Sequence, residues 1–164
     1  MDESQGLDKI RQIHFRKLEA MYGSAPINQE TFPGSALEIG EGFAKIILPI
    51  LPFYHHALGG MHGCLYFKLL DDASYFAAAS TEFDFFLLTK SFKIQFLRPF
   101  SNGVVHAEGR VLREWENEFI AEGTLYSESG KVLAKGTGTF AKSKTKLIEV
   151  LAYSNFQVEK PEKG

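Results

Sequence analysis

Hydrophobic and polar positions change their period several times along the chain, and each change marks an element. From Gln5 to Tyr22, the residues Leu7, Ile10, Ile13, Leu18 and Met21 recur near helical spacing among charges, which predicts an amphipathic helix. Gly23 to Gly34 contains Pro26 and Pro33 and reads as a loop. Ala36 to Ile50 alternates as a strand, with Leu37 and Ile39 before a Gly40–Gly42 turn and Phe43, Ile46 and Leu48 after it. Pro49 and Pro52 are expected to end that strand.

The glycine-broken turn at Gly59, Gly60 and Gly63 leads into a helix that runs to about Ser80. Its residues are apolar most of the way round, which suits burial rather than a surface position. After it the period shortens. Phe92, Ile94 and Phe96 alternate with polar residues inside Phe85–Phe100, closed by Arg98-Pro99. Val104–Trp115, Phe119–Ser127 and Val132–Lys142 follow as strands, with a turn signal at Ser129-Gly130. Gly136 and Gly138 in the last strand predict a bulge or a close backbone approach. Leu147–Phe156 is expected to form a short element docked on the body, and Glu159–Gly164 to fray. The order predicts an α+β protein in which one long central helix is wrapped by an antiparallel sheet. Residues 1–164 are read as a single domain, with 1–35 an N-terminal helix and loop and 143–164 a C-terminal tail.

Composition narrows the function more than the fold. A chain of 164 residues, 45% hydrophobic and 23% charged, suits one soluble domain with a good core. Fifteen Phe against one Trp point to a Phe-rich core or an apolar ligand pocket, and composition leaves both open. The net charge of -2, with no long basic run, argues against nucleic acid as a partner. No apolar run approaches the roughly 20 residues that span a bilayer. The polar start MDESQGLDKIRQ is unlike a signal peptide, and Cys64 is the only cysteine, so a cytoplasmic location is expected.

The chemistry concentrates between His56 and Ala79. A helix start presents unpaired N–H groups and a positive dipole, which suit an oxyanion or a polarised carbonyl. Asp71 and Asp72 stand about two turns further along. Asp71 is either a solvated carboxylate or one held for chemistry, whereas Asp72 reads as structural, paired with Lys68 at i,i+4. Cys64 reads as a nucleophile activated by the helix start and by His56 or His62, or as a small residue filling a glycine slot. The five His are not spaced as metal ligands with carboxylate support, so no metal site is expected. No G-x-S-x-G elbow occurs.

The segment His56-Ala-Leu-Gly59-Gly-Met-His62-Gly63-Cys64, with Asp71 nine residues after His62, resembles a turn of the PaaI-like acyl-CoA thioesterases. These belong to the 4-hydroxybenzoyl-CoA thioesterase superfamily, where the turn reads Asn-x-x-Gly-x-x-His-Gly-Gly. The stretch Lys90-Ser-Phe-Lys-Ile-Gln-Phe-Leu-Arg98-Pro99 is similar to the strand that follows the helix in that family. The resemblance spans roughly residues 36–142 and implies a hotdog fold. It further implies hydrolysis of an acyl-CoA to free acid and CoA, with no cofactor, in a homodimer or dimer of dimers whose site crosses the interface. Carried over, Asp71 becomes the general base or nucleophile, the N–H groups of Gly63 and Cys64 polarise the carbonyl, and Thr89 orients water. His62 fixes the turn and Gly59 shapes it beside substrate. Phe92, with Phe83, Phe85, Phe86 and Phe96, reads either as the lining of an acyl tunnel or as core packing. His56 stands where the family has Asn, and Cys64 where it has Gly; His56 is either the orienting residue or an ordinary loop histidine. The other readings are a non-catalytic acyl-CoA-binding hotdog protein and a hotdog enoyl-thioester hydratase or dehydratase.

Overall fold

The computed structural model describes residues 3–156. Helix α1 (Glu3–Ser24) is followed by a π-helical turn at Ile27–Thr31, inside the segment expected as loop. Strands β1 (Ala36–Gly40) and β2 (Phe43–Ile50) form the first hairpin, and α2 (Gly63–Ala79) is the central helix. Strands β3 (Phe85–Phe96), β4 (Gly103–Glu114), β5 (Glu118–Ser127) and β6 (Val132–Lys146) follow, then a 3-10 turn and the short α3 (Leu151–Ser154). All six strands form one antiparallel sheet in the order β1-β2-β4-β5-β6-β3. With α2 packed against it, this is the hotdog architecture that the motif implied.

Two glycines decide how closely the helix sits on the sheet. Gly109 of β4 pairs with Gly123 of β5 directly beneath α2. A Cβ on Gly109 would lie 2.0 Å from the Ala73 carbonyl oxygen, and one on Gly123 would lie 2.9 Å from Ser74 Oγ. Side chains there would push the helix off the sheet and open the core. The close approach expected at Gly136 and Gly138 is also present. The Phe92 ring lies across both, and added Cβ atoms would come within 2.3 and 2.6 Å of it. Leu69, Leu70, Ala73 and Ala77 of α2 thereby bury against Ile46, Leu48, Val105, Ala107, Leu125 and Phe140 of the sheet.

Several expected boundaries move, each for a visible reason. Strand β2 runs through Pro49 to Ile50, because β1 pairs no further than Ala36 with Ile47 and the proline falls where β2 has become an edge. Strand β3 stops at Phe96 rather than Phe100, because the N–H groups of Leu97 and Arg98 both turn to the Leu133 carbonyl. Strand β6 continues to Lys146 because it pairs with the start of β3, Phe85 opposite Lys146. The helical face expected on α1 is only half right. Leu7 and Ile10 are exposed, and the buried face is His14, Phe15, Leu18, Met21 and Tyr22. Helix α1 is about 33 Å long, whereas the elements it packs on, β1 and α3, are only five and four residues. Its early turns have no surface to cover them. The expected docking of Leu147–Phe156 is made by Leu147, Val150, Ala152 and Tyr153, which pack on the core, and Glu159–Gly164 lies outside the described residues.

Candidate active site

Asp71 sits in the middle of α2, half-buried, in a cavity of about 340 Å³ between α2, the end of α1 and β3. Thr89 of β3 donates a hydrogen bond from Oγ1 to Asp71 Oδ1 at 3.1 Å. Burial pushes the Asp71 carboxyl up to about 6, the Thr89 bond pulls it down, the Asp72 charge pushes it up, and Lys68 pulls it down. Desolvation wins because one neutral donor and one cation already engaged elsewhere do not replace the water lost. A carboxyl tuned toward neutrality in a cavity fits a proton acceptor working near physiological pH.

Asp72 is held differently, as its spacing from Lys68 predicts. Lys68 Nζ forms an ion pair with Asp72 Oδ2 one turn along the helix. The ammonium also lies 5.3 Å from the Tyr22 ring centre and 5.0 Å from that of Phe32. Burial raises the Asp72 carboxyl and the Lys68 partner opposes this. Asp72 thus has a dedicated cation, and Asp71 does not.

The helix start lies elsewhere. Gly63 is eight residues before Asp71, about 12 Å along the axis at 1.5 Å per residue. Within one chain the two sites therefore do not meet. Gly63 lines a second hollow of about 360 Å³ with His56, Tyr66, Phe96 and Arg98, and the Tyr66 hydroxyl donates to the Arg98 carbonyl at 3.2 Å. His62 caps α2, its Nδ1 accepting from the Cys64 N–H at 3.1 Å. The two amides expected to share one task are thereby separated. The Cys64 N–H has an acceptor inside the chain, and the Gly63 N–H has none among the described residues. The Cys64 thiol is exposed.

His56 is built into the turn. Its N–H donates to Gly60 O and its carbonyl accepts from Gly59, each at 2.9 Å, while its Nδ1 accepts from the Leu58 N–H at 3.1 Å. Gly59 has φ +79°, which strains any other residue. The His56 ring covers Gly60, where a Cβ would lie 2.9 Å from Nε2. His56 nevertheless shares the hollow with Gly63.

The five Phe residues do not line one tunnel. Phe86 faces the Asp71 cavity, Phe96 lies at the helix start, and Phe92 packs against Phe67 over the glycines of β6. Phe83 stacks on His14 at 4.3 Å, and the Phe85 ring faces Lys142. Sequence reasoning also missed three features. Met21, Ala25, Ile27 and Asn28 wall the Asp71 cavity. His14 is buried, with Nε2 donating to Ala79 O at 2.9 Å and Nδ1 accepting from the Tyr153 hydroxyl at 2.6 Å. Glu82 is buried in an ion pair with Lys142 at 2.8 Å and accepts from the N–H groups of Asp84 and Phe85. Only the helical spacing of α1 hinted at the first, and nothing local signals the others. Among the described residues, no cluster of three or more His, Cys, Asp or Glu could hold a metal ion, and no helix is long and apolar enough to cross a membrane.

A hotdog sheet carrying a carboxylate in mid-helix and a glycine turn at the helix start defines the class. Residues 58–134 match the family model described as the thioesterase superfamily, and the fold is the hotdog fold of the PaaI-like proteins. The chain is similar to a candidate esterase of Saccharolobus solfataricus, with 26% identity over 111 residues, 68% of this chain and 79% of that protein. It is similar in fold to the PaaI protein of the E. coli phenylacetic acid degradation operon. There the TM-score is 0.75 at 20% identity, covering 83% of this chain and 97% of that one. A Streptococcus mutans protein solved with bound acetyl-CoA superposes with a TM-score of 0.63 at 20% identity, covering 68% of this chain and 90% of the other.

Proposed function

We propose that the protein hydrolyses an acyl-CoA thioester to the free acid and CoA. The observation that carries the reading is Asp71, a carboxylate with no cation of its own, raised to about 6 and oriented by Thr89 in a cavity. Asp71 accepts a proton from water as the oxygen attacks the thioester carbonyl carbon. The oxyanion that forms is held by the Gly63 N–H at a helix start, the C–S bond then breaks, and the CoA sulfur takes the proton. The same carboxylate could attack the carbonyl carbon itself, with water releasing the resulting anhydride. The acetyl-CoA bound by the Streptococcus mutans relative supports CoA thioesters as the substrate class.

The distance between Gly63 and Asp71 supports a site completed by a second copy. The geometry needed is the helix start of one subunit facing the Asp71 of another. Strand β3 is one of the two edges of the sheet and the longer one, and Leu88, Phe96 and Leu97 on or just past it are exposed. A 12-residue edge with exposed apolar side chains invites pairing. A homodimer or dimer of dimers meets both needs.

A thiol-release assay over acyl-CoAs tests the reading. Turnover that falls about 10²-fold or more in Asp71→Asn is expected. Wild-type turnover in Asp71→Asn removes the assignment, and acyl-CoA binding without turnover favours a binding protein, a role that the capped Cys64 amide would suit.

A further inference from the structure

Helix α1 and its π-helical turn precede the segment matched by the thioesterase family, yet they build one wall of the chamber that holds Asp71. Met21, Ala25, Ile27 and Asn28 form that wall, opposite Phe86 and Leu88 of β3. The wall is tied in place. Asn28 Nδ2 donates to the Tyr22 carbonyl at 2.8 Å, and the Phe32 N–H closes the turn onto the Ile27 carbonyl at 3.2 Å. Ile27 is 53% exposed and so stands at the rim, while Asn28 and Met21 are buried behind it. A chamber of about 340 Å³ lies at the small end of ligand sites.

Its charges also select. The ionisable groups lining it are Asp71, Asp72, Lys68 and the two tyrosines Tyr22 and Tyr75. The single ammonium is already paired with Asp72. An acyl group ending in a carboxylate would meet two carboxylates and a cation that is taken.

We propose that α1 and its π-helical turn are the acyl-selecting element of this protein, admitting a compact, uncharged acyl group and setting the limit on its length. The inference rests on the acyl-CoA reading of the same site. Ala25 and Ile27 are the residues through which it acts. A larger side chain at Ala25 occupies the chamber, and a smaller one at Ile27 opens its rim. Neither needs to alter Asp71, Thr89 or the helix start.

The test uses the whole chain and straight-chain acyl-CoAs from acetyl to dodecanoyl, with glutaryl-CoA beside pentanoyl-CoA. kcat/KM is measured for the wild type, Ala25→Phe and Ile27→Ala. Expected are a peak at short or medium length in the wild type and glutaryl-CoA at least about tenfold below pentanoyl-CoA. Ala25→Phe should lower the ratio of longest to shortest accepted acyl group about tenfold, and Ile27→Ala should raise it. A merely structural role would scale all substrates together and leave the ratio unmoved. The half-exposed Ile27 keeps the test open if Ala25→Phe misfolds. Binding of non-hydrolysable acyl-CoA thioethers to Asp71→Asn should follow the same length order. Turnover with an unchanged length profile in both variants overturns the inference and leaves the proposed activity standing, and equal rates on glutaryl- and pentanoyl-CoA overturn the charge selection. Neither turnover nor thioether binding with any member of the series overturns the proposed function and the inference together.

Discussion

Thr89 Oγ1 donates to Asp71 Oδ1 at 3.1 Å, joining β3 to the middle of α2 across 18 residues of sequence. The bond favours the charged carboxylate while burial opposes it, and burial prevails, leaving Asp71 at about 6. If Asp71 is the base, kcat/KM should rise with pH through about 6 and then level off. Thr89→Val removes a contact that lowers the Asp71 pKa, so its profile should shift to higher pH. A rate profile flat from pH 5 to 8, or a Thr89→Val profile displaced to lower pH, would contradict the assignment.

The same shift has a consequence for stability. Asp71 takes up its proton more readily folded than unfolded, so its contribution is fully present below the ordinary carboxylate range and is lost as pH rises through about 6. At pH 7.5 Asp71→Asn should therefore be more stable than the wild type, by on the order of 1 kcal/mol after discounting for solvent screening. At pH 4 the gain should vanish. Urea unfolding at the two pH values measures both. In turnover, Asp72→Asn should cost far less than Asp71→Asn, because Asp72 already has Lys68.

At the helix start, Cys64→Ala should keep most turnover, since the side chain is assigned no chemistry. A loss of two orders of magnitude or more would make the thiol a participant. His62→Ala removes the acceptor of the Cys64 N–H and should destabilise the fold by about 1 kcal/mol. Thermal unfolding of the two variants separates capping from chemistry.

His14 carries a second pH dependence of opposite sign. The Ala79 carbonyl can only accept, so Nε2 carries the proton and Nδ1 accepts from Tyr153. Burial lowers the pKa of this histidine below its ordinary 6.5, against smaller raising effects of the Ala79 bond and Glu82. The unfolded state then binds the proton more readily, so the stabilisation is complete above about 6.5 and is lost as pH falls below it. His14→Phe keeps a ring against Phe83 but strands the Tyr153 hydroxyl and leaves the Ala79 carbonyl only the Glu82 N–H, and should cost about 1–3 kcal/mol at pH 7.5. The gap between wild type and variant should narrow at pH 5.5. A gap that widens on acidification would mean that His14 is charged in the fold.

Light scattering should give a mass of at least two chains at micromolar concentration, because β3 leaves an open edge and Gly63 stands about 12 Å from Asp71 along α2. A stable, active monomer would remove the shared site.

Local signals carried far in this chain. Period-two alternation located β3 to β6, and the glycine turn located the start of α2, because pleat and helix repeat are written directly in which residues are apolar. The pair Asp71 and Thr89 was legible through the family motif, since both sit at set places on elements whose packing the fold dictates. Less legible was α1, where Leu7 and Ile10 look like core and are exposed. Helical spacing reports a face, and the extent of the neighbouring surface decides how much of it is covered.

By itself the sequence determined the order of elements, the burial of α2, the close approach at Gly136 and Gly138, and the presence of one carboxylate without a helical partner beside one with Lys68. Each follows from spacing along the chain. Only the tertiary structure decided that His62 takes the Cys64 amide and leaves that of Gly63, that His14 meets Tyr153 across 139 residues, and that α1 walls the Asp71 chamber. Those relations join residues distant in sequence. They depend on where rigid elements come to rest against one another, and no local pattern encodes that placement.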